Sequence, residues 1–185
     1  VGMRVNVDDI NENGIELAFR EDAASFPALA ELGRRREGDF TMPLTIELHI
    51  RRIGDLFAAD GRFATRVRQS CSRCLADFEA PLAADLSLTF TRQPAETPEL
   101  ARRTEIELDP EEIGQIFFRG DEIDLAAAVQ EEVLMALPMT PRCRPDCKGL
   151  CPRCGADLNP GDCGCDRKVV NPKFAVLSSL KLAKK

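Results

Sequence analysis

Eight cysteines carry the chemistry that this sequence offers. Six lie in C-R-P-D-C-K-G-L-C-P-R-C-G-A-D-L-N-P-G-D-C-G-C, from Cys143 to Cys165, and two form C-S-R-C at Cys71 and Cys74. Structural zinc takes four thiolates tetrahedrally, at about 2.3 Å each, and a C-x-x-C turn brings two sulfurs to one metal. In C-P-R-C-G, Pro152 stiffens the turn and Gly155 lets the chain leave without a Cβ clash. Cys163 and Cys165 follow across A-D-L-N-P-G-D, whose residues suit a reversal of the chain. Cys151, Cys154, Cys163 and Cys165 can therefore close one site. Cys71, Cys74, Cys143 and Cys147 remain as two close pairs, and they predict a second zinc that clamps an upstream hairpin to the tail. The alternative is one zinc within Cys143–Cys165, with C-S-R-C left as free thiols or a redox pair.

A disulfide framework competes with metal, since eight cysteines allow four bridges of unreadable connectivity. Such frameworks belong to oxidising compartments. The first residues hold no apolar core of signal-peptide length, and no run approaches the ~18 apolar residues of a membrane span. These features predict a soluble, cytoplasmic chain with no membrane partner, and there metal is favoured over disulfide.

The elements that must position the cysteines read as a β-rich body. M-R-V-N-V and G-I-E-L-A-F-R are strand-like, with Asn13-Gly14 as a turn signal between them. A short helix is expected from Asp22, its candidate cap, to Gly33, with Pro27 as an alternative first-turn residue. Leu44, Ile46, Leu48 and Ile50 alternate with polar residues, which is the period of a strand with one buried face. Asp60-Gly61 suggests a hairpin turn. Phe63, Thr65, Val67 and Gln69 then alternate with Arg62, Ala64, Arg66 and Arg68, and Leu82 to Phe90 alternate likewise. C-S-R-C is thus expected where two antiparallel strands meet. Residues 93–109 read as a surface loop. Asp124 caps a helix whose apolar stripe is Leu125, Val129, Val133 and Leu137, ended by Pro138. A last short basic helix is expected from Asn171 and Pro172. The sequence shows no internal repeat, phosphate-cradling glycine loop or Ser-His-Asp set. The fold class is α+β: an antiparallel β-rich body with few helices, residues 1–141, and a cysteine-rich zinc-binding tail, residues 142–185.

Charge divides the same way. Residues 142–185 carry ten Lys/Arg and four Asp/Glu, whereas residues 1–141 carry fifteen and twenty-seven. An acidic body is unlike a general nucleic-acid binder and suits a basic partner or simple solubility. Arg62, Arg66 and Arg68, with Arg73 nearby, make a candidate RNA-binding patch; cross-strand pairing with acidic neighbours is the bland reading. Arg34, Arg35 and Arg36 read chiefly as a solvated helix end. His49, the only histidine, reads as an exposed strand residue, and Glu131 and Glu132 as a solvated helix face. Catalytic zinc keeps an open position and usually has His or carboxylate ligands, and a redox pair favours a helix N-terminus. The cysteine pattern has neither feature, so a thiol or zinc enzyme is a minor alternative. A zinc-ribbon transcription or DNA-binding factor is another, opposed by the acidic body.

These residues together resemble the YceD-like large ribosomal RNA subunit accumulation proteins. The matching parts are C-S-R-C-L at Cys71–Leu75, I-D-L with E-E-V-L-M-A-L-P at Ile123–Pro138, C-K-G-L-C-P-R-C-G-A-D-L-N at Cys147–Asn159, and N-P-K-F-A-V-L-S-S-L-K at Asn171–Lys181. The resemblance implies a non-enzymatic cytoplasmic factor needed for large-subunit ribosomal RNA to accumulate, with no small-molecule substrate. Its expected partners are a large-subunit RNA precursor, a basic large-subunit ribosomal protein, or both. Some members of the family lack the second half of the cysteine tail, which implies that the Cys151–Cys165 knuckle is separable from the core role.

Overall fold

The computed structural model describes residues 2–35, 37–93 and 114–166. The expected basic helix from Asn171, Arg36 and nearly all of the expected loop at 93–109 lie outside the described residues.

Alternation dominates the middle of the chain, and it builds one large sheet. Strands β2 (Ile15–Glu21), β4 (Leu44–Ile53), β5 (Leu56–Ser70), β6 (Asp77–Arg92) and β7 (Gln115–Phe118) lie in that order. A two-residue strand, β3 (Asp39–Phe40), pairs beside β5, completing six strands. All pairs are antiparallel except β6 with β7, which run parallel. On β4, Leu44, Ile46, Leu48 and Ile50 are buried, as are Phe63 and Val67 of β5 and Leu82, Leu86, Leu88 and Phe90 of β6. Each large apolar side chain so buried contributes about 1.5–3 kcal/mol.

Among the described residues, two α-helices complete the core. Helix α1 (Pro27–Arg35) begins at Pro27, the first-turn alternative, and runs through Gly33. Asp22 makes no side-chain cap; it precedes a short 3-10 turn at Ala23–Ser25. Helix α2 (Leu125–Ala136) is capped by the Asp124 carboxylate, which accepts from the Ala126 N–H at 3.0 Å. Its Leu125, Ala128, Val129 and Val133 are buried, while Leu137 is the C-cap and only partly buried. The helix packs on β6, β1 (Arg4–Asn6) and α1. Gln130 of α2 accepts from the Ala28 N–H, one of the donors that α1 leaves unpaired at its N-terminus. Strand β1 pairs not with β2 but with β8 (Glu122–Asp124), so the turn at Gly14 separates two sheets.

The hairpin turn between β4 and β5 falls at Gly54-Asp55, not at Asp60-Gly61. Gly54 has φ of 61°, the left-handed conformation a tight reversal needs. Gly61 lies inside β5, where a Cβ would collide with the Glu47 carbonyl of β4. Its missing side chain serves close strand approach rather than a turn.

Candidate metal centres

Strands β5 and β6 end together at the rung Ser70–Asp77, and Cys71–Cys74 occupies the turn between them. The turn is a knuckle. The Cys71 N–H donates to the Ala76 carbonyl at 2.9 Å, and the Leu75 N–H donates back to the Cys71 carbonyl at 2.9 Å. Leu75 takes φ of 61°, rare for a residue with a side chain, and is 65% exposed. After α2, the chain reaches this knuckle through Pro141, whose carbonyl accepts from both the Ser72 N–H and the Ser72 hydroxyl. Cys143 and Cys147 then lie against Cys71 and Cys74. Sulfur separations are 3.8 Å for Cys71–Cys147 and 3.7 Å for Cys74–Cys143.

The second group repeats the device. The Cys151 N–H donates to the Ala156 carbonyl at 2.8 Å, and the Gly155 N–H to the Cys151 carbonyl at 2.9 Å. Gly155 has φ of 74°, where the first knuckle places Leu75. Cys-x-Arg-Cys-x-Ala therefore occurs twice, at Cys71–Ala76 and Cys151–Ala156, which corrects the expectation of no internal repeat. Comparing those two hexapeptides would have shown it; Leu75 in the glycine's place obscures the match.

Cys71, Cys74, Cys143 and Cys147 form one group of thiols and Cys151, Cys154, Cys163 and Cys165 another, with all sulfurs of a group within 4.8 Å of each other. All eight cysteines are unbridged. A disulfide needs sulfurs about 2.05 Å apart, whereas a tetrahedron of thiolates about 2.3 Å from zinc has edges of about 3.8 Å. The two measured separations in the first group match that edge. Both groups could hold a metal, and an all-thiolate donor set suits zinc.

Electrostatics within each group point the same way. N–H groups of Cys143, Cys74 and Arg73 are directed at the Cys71 sulfur and bring its pKa down to about 6. Those of Cys154 and Arg153 do the same for Cys151, also to about 6. Burial, with the thiols of Cys74 and Cys147, pushes Cys143 up to about 12. The thiols of Cys154 and Cys163, with burial, push Cys165 up to about 12. The Ala76 N–H favours the Cys74 thiolate, but burial and the Cys71 thiol outweigh it, and Cys74 is raised. At Cys163 the Cys165 N–H is likewise outweighed, by the Cys151 thiol and burial. Each group thus readily ionises one thiol and resists ionising two others, Cys74 and Cys143 in the first and Cys163 and Cys165 in the second, a frustration that a bound dication relieves.

The two groups touch. The Leu150 N–H donates to the Arg73 carbonyl, the Arg73 guanidinium donates to the Cys147 carbonyl, and Leu150 bridges to Asp157. Asn159, which the sequence reading did not single out, donates from Nδ2 to the Cys147 sulfur at 3.6 Å.

Two arginines of the candidate patch pair with acidic residues, and the Arg73 guanidinium donates to the Cys147 carbonyl. Arg66 pairs with Glu79, Arg68 lies 3.6 Å from Asp39, and Arg62 sits in register between Glu47 and Asp85. Arg34 and Arg35 both pair with Glu31. His49 contacts the Asn13 carbonyl at 3.3 Å, far in sequence from either thiol group. Among the described residues, no helix is long and apolar enough to cross a membrane.

Comparison with known proteins gives a consistent picture. The family profile described as Large ribosomal RNA subunit accumulation protein YceD matches residues 59–181, a span containing all eight cysteines. An uncharacterized protein of Mycobacterium tuberculosis is 28% identical over 134 residues, covering 72% of this chain and 60% of the relative. The chloroplastic large ribosomal RNA subunit accumulation protein YCED homolog 1 of Arabidopsis thaliana is 25% identical over 161 residues, covering 75% of this chain and 49% of the relative. Its Zea mays counterpart is 26% identical over 137 residues, covering 63% and 46%. The chain therefore spans about half to three-fifths of these curated relatives. No solved structure matches it.

Proposed function

Because the chain belongs to the YceD family of large ribosomal RNA subunit accumulation proteins, we propose that it supports accumulation of that RNA in the cytoplasm, by binding rather than by catalysis. The observation that carries this reading is the family match across both cysteine groups. Each group holds one structural zinc. The first zinc, on Cys71, Cys74, Cys143 and Cys147, clamps the tail, residues 142–185, to the body, residues 1–141. The second, on Cys151, Cys154, Cys163 and Cys165, orders the tail itself. Four thiolates fill a tetrahedral zinc, so neither metal has an open position for substrate.

Binding follows the charge division. The acidic body suits a basic large-subunit ribosomal protein, and the lysine-bearing tail suits precursor RNA. Arg62, Arg66, Arg68 and Arg73 are the body's own candidates for phosphate contact. The acidic neighbours of Arg62, Arg66 and Arg68 support giving the tail the larger share.

Deleting the gene should lower mature large-subunit RNA relative to small-subunit RNA, read by sucrose-gradient profiles with quantified RNA from each subunit. Affinity capture of the full chain over a salt series then separates the two modes of binding. Phosphate contacts give RNA recovery that falls steeply with salt, and a ribosomal protein held on the acidic body is still captured after ribonuclease treatment, whereas one carried only by RNA is lost. A normal subunit ratio in the deletion strain under both rapid and slow growth rejects the role.

A further inference from the structure

Asn159 lies in the loop between Cys154 and Cys163, yet its side chain serves the other thiol group. Its Nδ2 donates to the Cys147 sulfur at 3.6 Å and to the Asp157 carboxylate at 2.7 Å. Its Oδ1 accepts the Lys148 N–H at 2.9 Å, and its own N–H donates to Asp157. Both amide protons and the carbonyl are thus used, and they lock the side chain across the gap between the groups. The backbone supports the crossing: the Leu158 N–H donates to the Gly149 carbonyl, and Gly149, at φ of 75°, lies so near the Arg73 backbone that a side chain there would bring its Cβ 3.0 Å from the Arg73 carbonyl oxygen. Leu158 is buried. The distal loop is therefore laid on the proximal knuckle through contacts that include one of its ligand sulfurs.

We infer that Asn159 is a positioning residue that couples the two zinc centres: the distal loop, when ordered by its own metal, supplies a hydrogen bond that tightens the proximal site at Cys147. The inference rests on both groups holding zinc. An N–H directed at a metal-bound thiolate orients the sulfur and delocalises its charge, and loss of such outer contacts lowers metal affinity by about 10–100-fold. Coupling of this kind makes filling of the proximal site depend on the distal one. The reverse dependence follows by linkage.

The test uses the full-length zinc-loaded chain titrated with a competing chelator, then thiol alkylation and mass spectrometry to identify which group has released its metal. Asn159→Asp keeps an acceptor for Lys148 but removes the donor to sulfur, whereas Asn159→Ala removes both. Each should expose the proximal cysteines at about 10–100-fold weaker chelator demand, with the body's strands intact by circular dichroism. In the cobalt-substituted protein, Asn159→Asp should move the thiolate-to-cobalt charge-transfer band to lower energy, which a merely structural loop residue would not do. Cys154→Ser should weaken the proximal site to a similar degree, and Asn159→Asp added to it should change little more. Weakening by Asn159→Ala alone assigns the effect to the Lys148 turn and overturns the coupling, as do additive effects in the double variant. Wild-type protein that takes up no zinc, or one per chain, overturns the two-zinc reading beneath it.

Discussion

The two thiol groups share one knuckle and differ in what that knuckle holds together. In the proximal group the paired sulfurs Cys74 and Cys143 are 69 residues apart in sequence, and Cys71, Cys74 and Cys147 are buried with Phe78 and Leu150 packed around them. In the distal group all four ligands fall between Cys151 and Cys165, and Cys154 is exposed. Closing a 69-residue loop rather than a nine-residue one, such as Cys154–Cys163, restricts the unfolded chain by about 2 kcal/mol more. The same local geometry therefore makes a long-range staple in one place and a loop brace in the other. The proposed role divides along the same line: the proximal thiols bring the β5–β6 turn to Cys143 and Cys147, and the distal thiols all lie within residues 151–165.

The largest expected effect comes from cutting the staple. Cys74→Ser should remove one zinc of two per chain and free residues 143–166 from the strands while β4 and β5 persist. Structural zinc contributes on the order of 10 kcal/mol of apparent binding free energy, comparable to the stability of a whole domain. A loss of several kcal/mol in the metal-loaded protein is the expected scale. Metal analysis with hydrogen exchange checks both parts; unchanged zinc content refutes the assignment of Cys74 as a ligand.

Breaking the brace should do less. Cys154→Ser should also lower stoichiometry by one but disorder only the distal loop, with the proximal zinc retained at saturating metal. Subunit RNA ratios should fall further in a strain carrying Cys71→Ser with Cys74→Ser than in one carrying Cys151→Ser with Cys154→Ser. Equal defects would erase the functional distinction between the groups.

That distinction was partly legible in the sequence, because C-x-x-C spacing is a local property and so is period-two alternation. Leu44–Ile50, the Phe63–Gln69 face and the Asp124 cap all follow from neighbours a few residues away. What the sequence hid was set at long range. Gly61 looks like a turn residue but is required by the Glu47 backbone of the next strand. The partners of β1 and β7 lie more than twenty residues away along the chain in both cases. Asn159 reads as one more turn residue, and only the folded tail shows its amide beside the Cys147 sulfur.

Acidification probes what the two groups share. In the metal-free protein Cys71 and Cys151 have folded pKa values of about 6, below the ~8.5 of an ordinary thiol. A depressed pKa adds stability that is complete above the unfolded value and is lost as pH falls through the folded one. Cys143 and Cys165, both raised to about 12, act oppositely and subtract stability as pH rises above ~8.5. Chelated protein should therefore melt highest near pH 8–9, by these thiols alone, and lose stability toward pH 6. Cys71→Ser and Cys151→Ser should each remove part of that slope, because each knuckle supplies its own N–H groups. A slope that vanishes with only one of them would show that the knuckles are alike in shape and unlike in electrostatics.

The smallest expected effect lies at one of the two positions where the knuckle sequences differ, Leu75 against Gly155, the other being Ser72 against Pro152. Leu75 and Gly155 occupy the same place, and both take positive φ. A left-handed residue with a Cβ costs about 1–2 kcal/mol, so Leu75 holds a conformation that glycine would adopt freely. Leu75→Gly relieves that strain, while the added freedom of glycine in the unfolded chain opposes it by about 0.5–1 kcal/mol. The two partly cancel, and zinc content should not change while thermal stability rises by no more than about 1.5 kcal/mol. Gly155→Leu, by contrast, introduces the strain without relief and should weaken the distal knuckle by about 1–2 kcal/mol. The Leu75 side chain itself is 65% exposed and so contributes little burial in exchange for its backbone. Strain kept at an exposed apolar residue is a pointer to use rather than to folding. If Leu75→Gly folds and binds zinc as the parent does yet lowers the large-subunit RNA ratio, the proximal knuckle is a contact surface as well as a staple. An unchanged ratio leaves it a staple alone, and the two knuckles then differ only in what they tie.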